Sequence, residues 1–273
     1  MYMTDFEYNG ERLSDYHLML CSFDGTSDIV DIGNVITMNM VKAPNSHRQM
    51  SVGHSYDDTF TVTLQVSKIS CDNNVDNEIR EDEVNRIVRW LNRKRFCKFK
   101  PIYDDFAFSD VYYKATFNIR LIKYGNKIVG LELTLITDAP FGYKDNDEYN
   151  YEFTSSDDEF IVYDISDEVG YLYCDAIITC KESGNLIITN EFDRDNDVII
   201  NNCTQGEIIR LRGTQKIIEN LGDVGHSTLC NDFNYNFLRI SNSYDNNENV
   251  FKSSLKCEIE LQYSPVRKVG IVV

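Results

Sequence analysis

The sequence predicts a mainly β protein in two halves, with one helix in the first. Three observations carry this expectation. Several short segments alternate apolar and polar residues, which is the pattern of a strand with one buried face. Aromatic residues make up 12% of the chain, with 17 Tyr and 15 Phe, and they suit pleated surfaces better than helices. A turn cluster near the middle interrupts a regular strand, and the composition changes beyond it. At 273 residues with 42% apolar content, the chain can build two ordinary domains with packed cores.

Taken in order, Phe6 and Tyr8 lead into Asn9-Gly10, a two-residue hairpin turn whose members both tolerate positive φ. Leu18, Leu20 and the residues from Ile29 to Met40 read as further short strands. From Lys42 to Asp58 the chain is polar and carries Pro44, His47, Gly53 and His54, which indicates a long loop or an extended arm. Phe60 to Ser67 alternates without a fault. Glu81 to Asn92 reads as a helix: Val84, Ile87, Val88 and Leu91 fall at helical spacing, Glu81, Asp82 and Glu83 suit the positive dipole end, and Arg93, Lys94 and Arg95 follow the last turn. Trp90 is expected at the margin of that helix. Thr116 to Lys123 and Ile128 to Thr137, joined at Gly125-Asn126, form a hairpin that closes the first half. Asp138-Ala139-Pro140-Phe141-Gly142-Tyr143 then ends the pairing, because Pro140 has no N–H to donate and Gly142 accepts unusual backbone angles. A domain boundary is expected there, giving domains 1–142 and 143–273.

Beyond Tyr143, strand patterns recur at roughly ten-residue intervals, a sandwich-like spacing. Leu186 to Ile188, Val198 to Ile200, Ile208 to Leu211, Ile217-Ile218 and Phe237 to Ile240 supply the expected core, with a final strand from Leu255 to Tyr263. Residues 1–142 carry 16 basic and 20 acidic side chains, a formal charge of −4, whereas residues 143–273 carry 11 and 24, a charge of −13. So acidic a surface repels a phosphate backbone, which argues against sequence-specific nucleic-acid binding.

The chemistry-bearing residues form no readable site. Eight cysteines contain no CxxC pair, and free thiols of a reducing compartment are expected. Asp193, Asp195 and Asp197 start like a calcium loop, but Val198 stands where the turn needs Gly and Thr204 where a bidentate Glu is required. No metal or cofactor is expected. Arg86, Arg89, Arg93, Lys94, Arg95, Lys98 and Lys100, interleaved with Trp90, Phe96 and Phe99, compose either a nucleic-acid patch or dipole-compensating and inter-subunit charges. The second is favoured, since no nucleic-acid module flanks them. Only four histidines exist and no Gly-x-Ser-x-Gly elbow, so the protein is not expected to be an enzyme. The start of the sequence has no basic and apolar leader pattern, and the apolar runs are too short to span a membrane of about 20 residues, so a cytosolic product that leaves only within a particle is expected.

Three stretches carry a family resemblance. Phe6-Glu7-Tyr8-Asn9-Gly10 with Leu13-Ser14-Asp15-Tyr16-His17-Leu18 resembles the first hairpin of the distal tail (Dit) proteins of long-tailed bacteriophages, with His17 where that family commonly has Gly. Trp90-Leu91, Phe117-Asn118-Ile119 and Leu131 to Tyr143, with its Asp-x-Pro-x-Gly ending, are similar to the close of the family's ring-forming domain. Asn231 to Ile240 resembles a strand motif of its galectin-like domain. The resemblance implies an N-terminal β-barrel-like, ring-forming domain with one α-helix, followed by a C-terminal galectin-like β-sandwich. It implies a structural virion protein: a hexameric ring at the distal end of the tail tube, joined to the tube protein and the tail-tip hub and in relatives carrying receptor-binding proteins. Assembly in the bacterial cytoplasm, passage of the genome through the lumen and no membrane partner follow from the same likeness. The polar arm and the helix are then the expected inter-subunit contacts, through Pro44, His47, Arg48, His54, Arg89, Trp90 and Arg93. A different class of reading makes the second half a carbohydrate-binding module or glycosidase accessory acting on cell-wall glycans, for which an exposed aromatic platform is needed and only Tyr residues are present.

Overall fold

The computed structural model describes residues 2–23, 36–56, 59–69, 78–105, 109–193, 195–243 and 245–271. The chain forms two compact units. The first comprises Met1–Tyr143 together with Arg267–Val273, and the second is Lys144–Val266.

The first unit is built on one large antiparallel sheet. Strands β1 (Met3–Tyr8), β2 (Glu11–Arg12) and β3 (Leu18–Cys21) are followed by β4 (Ile36–Val41), β5 (Met50–Tyr56) and β6 (Thr61–Lys68). Helix α1 (Glu81–Leu91) precedes β7 (Cys97–Tyr103), β8 (Val111–Tyr124), β9 (Lys127–Thr137) and β10 (Gly142–Lys144). The main path runs β2-β1-β7-β8-β9-β6-β3, with β10 joined to β8. Strict period-two burial sets the register. Val62, Leu64 and Val66 lie opposite Leu135, Leu133 and Leu131, and all six are buried. Asn9 and Gly10 take positive φ in the expected turn. His17 also stands at φ 56°, closing a single 3₁₀ turn with its N–H donating to Ser14 O. That left-handed conformation accounts for the glycine common at this place in the resembling family.

Strand β7 was not expected. Cys97, Phe99, Pro101 and Tyr103 point inward while Lys98 and Lys100 alternate with them, so the aromatics and lysines that compose a patch in sequence lie on opposite faces of one strand. Helix α1 buries Ile87, Trp90 and Leu91, and Glu83 accepts a 2.8 Å hydrogen bond from Arg80 N–H at its start.

After the first unit come β11 (Asp147–Phe153), β12 (Phe160–Tyr163), β13 (Gly170–Tyr173), β14 (Asp175–Cys180), β15 (Gly184–Asn190), β16 (Val198–Cys203), β17 (Ile208–Arg212) and β18 (Ile217–Asn220). A short helix α2 (Leu229–Asp232), β19 (Arg239–Asn242), β20 (Glu248–Ser253), β21 (Cys257–Tyr263) and β22 (Val266–Arg267) complete the described elements. A five-stranded sheet, β11-β21-β14-β17-β18, packs against a four-stranded one, β12-β20-β15-β16. Ala176, Ile178, Ile209, Leu211, Ile259 and Leu261 from the first join Val162, Leu186, Ile188, Val198, Ile200 and Phe251 from the second in one continuous core. Gly213 is required where it stands, because a Cβ there would lie 2.2 Å from the Cys174 carbonyl oxygen. β13 and β19 form a separate pair.

The second unit stops at Val266, a correction to the expected range 143–273. Ile271 is fully buried in the first unit's core, Val269 packs against that core, and the Tyr113 hydroxyl donates to the Val269 carbonyl. Seven apolar-rich residues too short to form a layer of their own are thereby added to the nearest large core. The described cysteines are free thiols; Cys71 lies outside the described residues.

Candidate functional site

The feature of the first unit that its own core does not explain is the hairpin β4–β5. Its strands pair only with each other, and every described side chain of β4 is exposed. Ile36, Met38, Met40 and Val41 on β4 and Met50 and Val52 on β5 are all large, apolar and about half exposed or more, Val52 reaching 63%. An isolated two-stranded ribbon is at best marginally stable in water, and six exposed apolar side chains on one ribbon mark an interaction surface. The polar stretch of sequence is therefore an extended arm, but its second limb is a strand and not a loop.

The arm is firm at both ends. Ser46 N–H donates to Ala43 O at its tip, Asn45 takes φ 63°, and Ser46 Oγ both donates to Arg48 O at 2.8 Å and accepts from Arg48 N–H. Pro44, His47 and Arg48 all sit exposed in this tip. His54 pairs through its backbone with Met38; its side chain lies outside the described residues. At the root, the Tyr56 ring meets Phe141 edge-on at 5.0 Å, and Lys268 lies over both rings.

Helix α1 carries the remaining candidates. Arg89 and Arg93 are exposed, and Arg93 Nε donates to Trp90 O at 3.0 Å. Trp90 is a correction, since it is 2% exposed and belongs to the interior of the protomer. Its ring stacks on Tyr16 at 4.4 Å and on Phe6 at 5.8 Å, and Nε1 donates to Tyr8 O at 2.9 Å. Desolvating so large a side chain against three aromatic rings outweighs any gain from presenting it at a surface.

In the second unit the aspartates at 193, 195 and 197 serve structure. Asp193 takes a bidentate hydrogen bond from Arg239, at 2.6 and 2.7 Å, and the Asp197 carbonyl accepts from Asn234 and Asn236. Arg239 also lies 4.5 Å over the Tyr171 ring. A buried ionic group that sequence reasoning missed is His226, whose Nδ1 is 2.7 Å from Glu207 Oε1 and whose Nε2 is 3.1 Å from Asp232 Oδ2. No sequence signal joins residues 19 and 6 positions apart across a strand, a loop and a short helix. Burial pulls the imidazole pKa down, but hydrogen bonds from Asp232 and Glu207 overcome this and raise it. A folded-state pKa above the unfolded value stabilises the unit below about pH 6.5 and ceases to do so as pH rises through the folded value. Melting of the second unit is thus expected to fall between pH 6 and pH 9. His226→Gln should flatten that slope and cost about 1–3 kcal/mol at pH 6 through the carboxylates left short of donors; equal slopes in calorimetry would refute the assignment.

Among the described residues no helix is long and apolar enough to cross a membrane, and no group of His, Cys, Asp and Glu is arranged to hold a metal ion. No curated protein matches the chain in sequence. Residues 1–139 match the family described as the phage tail protein N-terminal domain, and residues 141–263 the phage tail C-terminal domain. Among solved structures, the fold is similar to that of the Dit protein of phage SPP1, described as a paradigm of the hub adsorption apparatus in phages infecting Gram-positive bacteria. That likeness has a TM-score of 0.63 at 10% identity and covers 97% of this chain and 99% of the other. With both halves matched and the mainly β fold shared, the chain belongs to the phage tail protein family: it is a structural component of a phage tail, not an enzyme, and has the fold of a distal tail protein.

Proposed function

We propose that the protein forms a hexameric ring at the distal end of the tail tube, where it joins the tube protein to the tail-tip hub and supports the host-adsorption apparatus. In this reading the first unit builds the ring, the second unit faces outward, and assembly takes place in the bacterial cytoplasm before the tail is complete. The observation that carries it is the apolar hairpin β4–β5, which pairs with no other strand of its own chain and needs a neighbour to cover it. Head-to-tail contacts of this kind close into a ring when the rotation between copies divides a full turn. Pro44, His47, Arg48 and His54 on the arm and Arg89 and Arg93 on α1 are the proposed contacts. The formal charge of −17 is compatible with a lumen that DNA traverses without adhering.

Light scattering on the purified full chain is expected to give a particle of about 190 kDa, six copies of 31.6 kDa. Replacing Met38, Met40 and Val52 with glutamate should yield monomers whose melting temperature is unchanged, because surface changes of this type alter protomer stability by no more than about 0.5 kcal/mol. A triple variant that remains hexameric, or a parent chain that stays monomeric at high concentration, overturns the proposal.

A further inference from the structure

The outer face of the five-stranded sheet holds a cavity of about 300 Å³ lined by Asp175, Arg210, Arg212, Gln215, Glu260 and Gln262, with Ala176 and Ile177 at its floor. Strand register places these side chains in two rows. Gln262, Asp175 and Arg212 are direct neighbours across β21, β14 and β17, and two residues along the same strands Glu260, Ile177 and Arg210 repeat the arrangement. Rows on one face are separated by two residues, roughly 7 Å, and strands by about 4.8 Å, so the polar groups surround an apolar centre at Ile177 on the scale of one sugar ring.

The walls are held in place from outside. Asp175 accepts from Thr214 N–H and its hydroxyl at 3.3 and 3.1 Å. Gln262 donates to Glu148 at 3.1 Å, and Arg210 and Arg212 share Glu219 at 3.8 and 3.1 Å. Side chains fixed in this way lose little freedom when a ligand enters. Two guanidinium forks and two carboxamides offer paired donors, Asp175 and Glu260 offer paired acceptors, and Ile177 offers an aliphatic floor. That combination matches vicinal hydroxyls around a ring with an apolar face. The charges decide the ligand class further: Arg210 and Arg212 are offset by Asp175, Glu219 and Glu260, in a half of the chain that carries −13 overall, so an anionic ligand is disfavoured. The turn that supplies Gln215 also brings Lys216 over the ring of Tyr173, and Tyr173 lies on the same side of the chain as Asp175, with buried Cys174 between them. An aromatic side chain is thereby available beside the polar rows, where a second sugar residue would stack.

We propose that this cavity binds a neutral saccharide, one or two residues of a longer glycan, giving the second unit a recognition activity of its own that does not depend on ring formation. A cavity at the small end of ligand pockets and open to solvent fits weak, multiplied binding. The test uses the full-length protein on an array of neutral oligosaccharides, followed by calorimetric titration with the strongest binder. Dissociation constants between about 0.1 and 10 mM are expected. Arg212→Ala and Asp175→Asn should each weaken binding tenfold or more, while Arg48→Ala on the arm leaves it unchanged. Light scattering on the same samples keeps the two proposals apart, since cavity variants should retain the parent's oligomeric state. Absence of any neutral ligand better than 10 mM, binding only of phosphorylated or carboxylated glycans, or undiminished binding by both cavity variants when their melting is unchanged, would each overturn the inference.

Discussion

Replacement of Trp90 by alanine is expected to lower the melting temperature of the first unit by about 10–20 °C. The indole is 2% exposed and touches Phe6, Tyr8 and Tyr16, so truncation leaves a cavity among aromatic rings, a change that costs about 3–5 kcal/mol. A unit of this size shifts by roughly 3–4 °C for each kcal/mol. Removing Nε1–H also takes a donor from the Tyr8 carbonyl. Helix α1 is further tied to the sheet near its end, where Asn92 donates to Phe117 O at 2.8 Å and Thr116 to Arg93 O at 2.7 Å, so loosening the indole loosens the surface that carries Arg89 and Arg93. Trp90→Phe keeps most of the buried area and loses only the donor, and should cost less than half as much. Calorimetry of both variants decides the matter: equal small losses would mean that the indole is peripheral after all.

Removal of residues 267–273 should destabilise the first unit although nearly all of that unit precedes them by more than a hundred residues. Burial of Ile271 is worth about 1.5–3 kcal/mol, and the Tyr113 hydroxyl, left without its acceptor at Val269, adds roughly 1–3 kcal/mol. Lys268 also covers Tyr56 and Phe141 at the root of the arm, so the shortened chain is expected to lose ring assembly along with stability. Because Trp90 is the only tryptophan, its fluorescence reports unfolding of the first unit alone. An unchanged denaturation midpoint in the shortened chain would show that the segment merely rests on that core. Ile271→Ala offers a milder form of the same experiment.

Much of this fold is legible in the residues because burial on one face imposes a period of two. Phe60 to Ser67, Ile128 to Thr137 and Cys257 to Tyr263 show it plainly, and α1 shows its own period with acidic residues at its start. The failures have equally local causes. In β7 the outward lysines and inward aromatics read as a basic patch, since charge and aromaticity are conspicuous where alternation is not. In β5 both faces are exposed, so Met50–Tyr56 has no buried side to betray a strand. Trp90 falls one residue from Leu91 at the helix end, and its burial depends on Tyr16 and Phe6, which are far away in sequence. The assembly surface was partly legible: polarity and Pro44 marked an arm, but the apolar side chains that make it adhesive lie among residues that resemble an ordinary strand. The cavity on the five-stranded sheet was not legible at all, because its lining comes from three strands and a turn whose neighbourhood only pairing creates.

The burial of Ile271 in the first core has a consequence for the ribosome's product. Domains commonly fold in the order of their synthesis, at roughly 5–20 residues per second. Here residues 1–143 emerge first but cannot finish, since part of their interior is encoded after the whole second unit. The interval is on the order of ten seconds. During it, the second unit, whose residues 144–266 are contiguous, can reach its native state while the first still waits. A nascent chain therefore exposes an adhesive hairpin on an unfinished support, and a truncated translation product lacks the piece that completes it. Competence to join neighbours is gained only when translation has passed Ile271, which makes the late segment a proofreading device against incorporation of incomplete subunits.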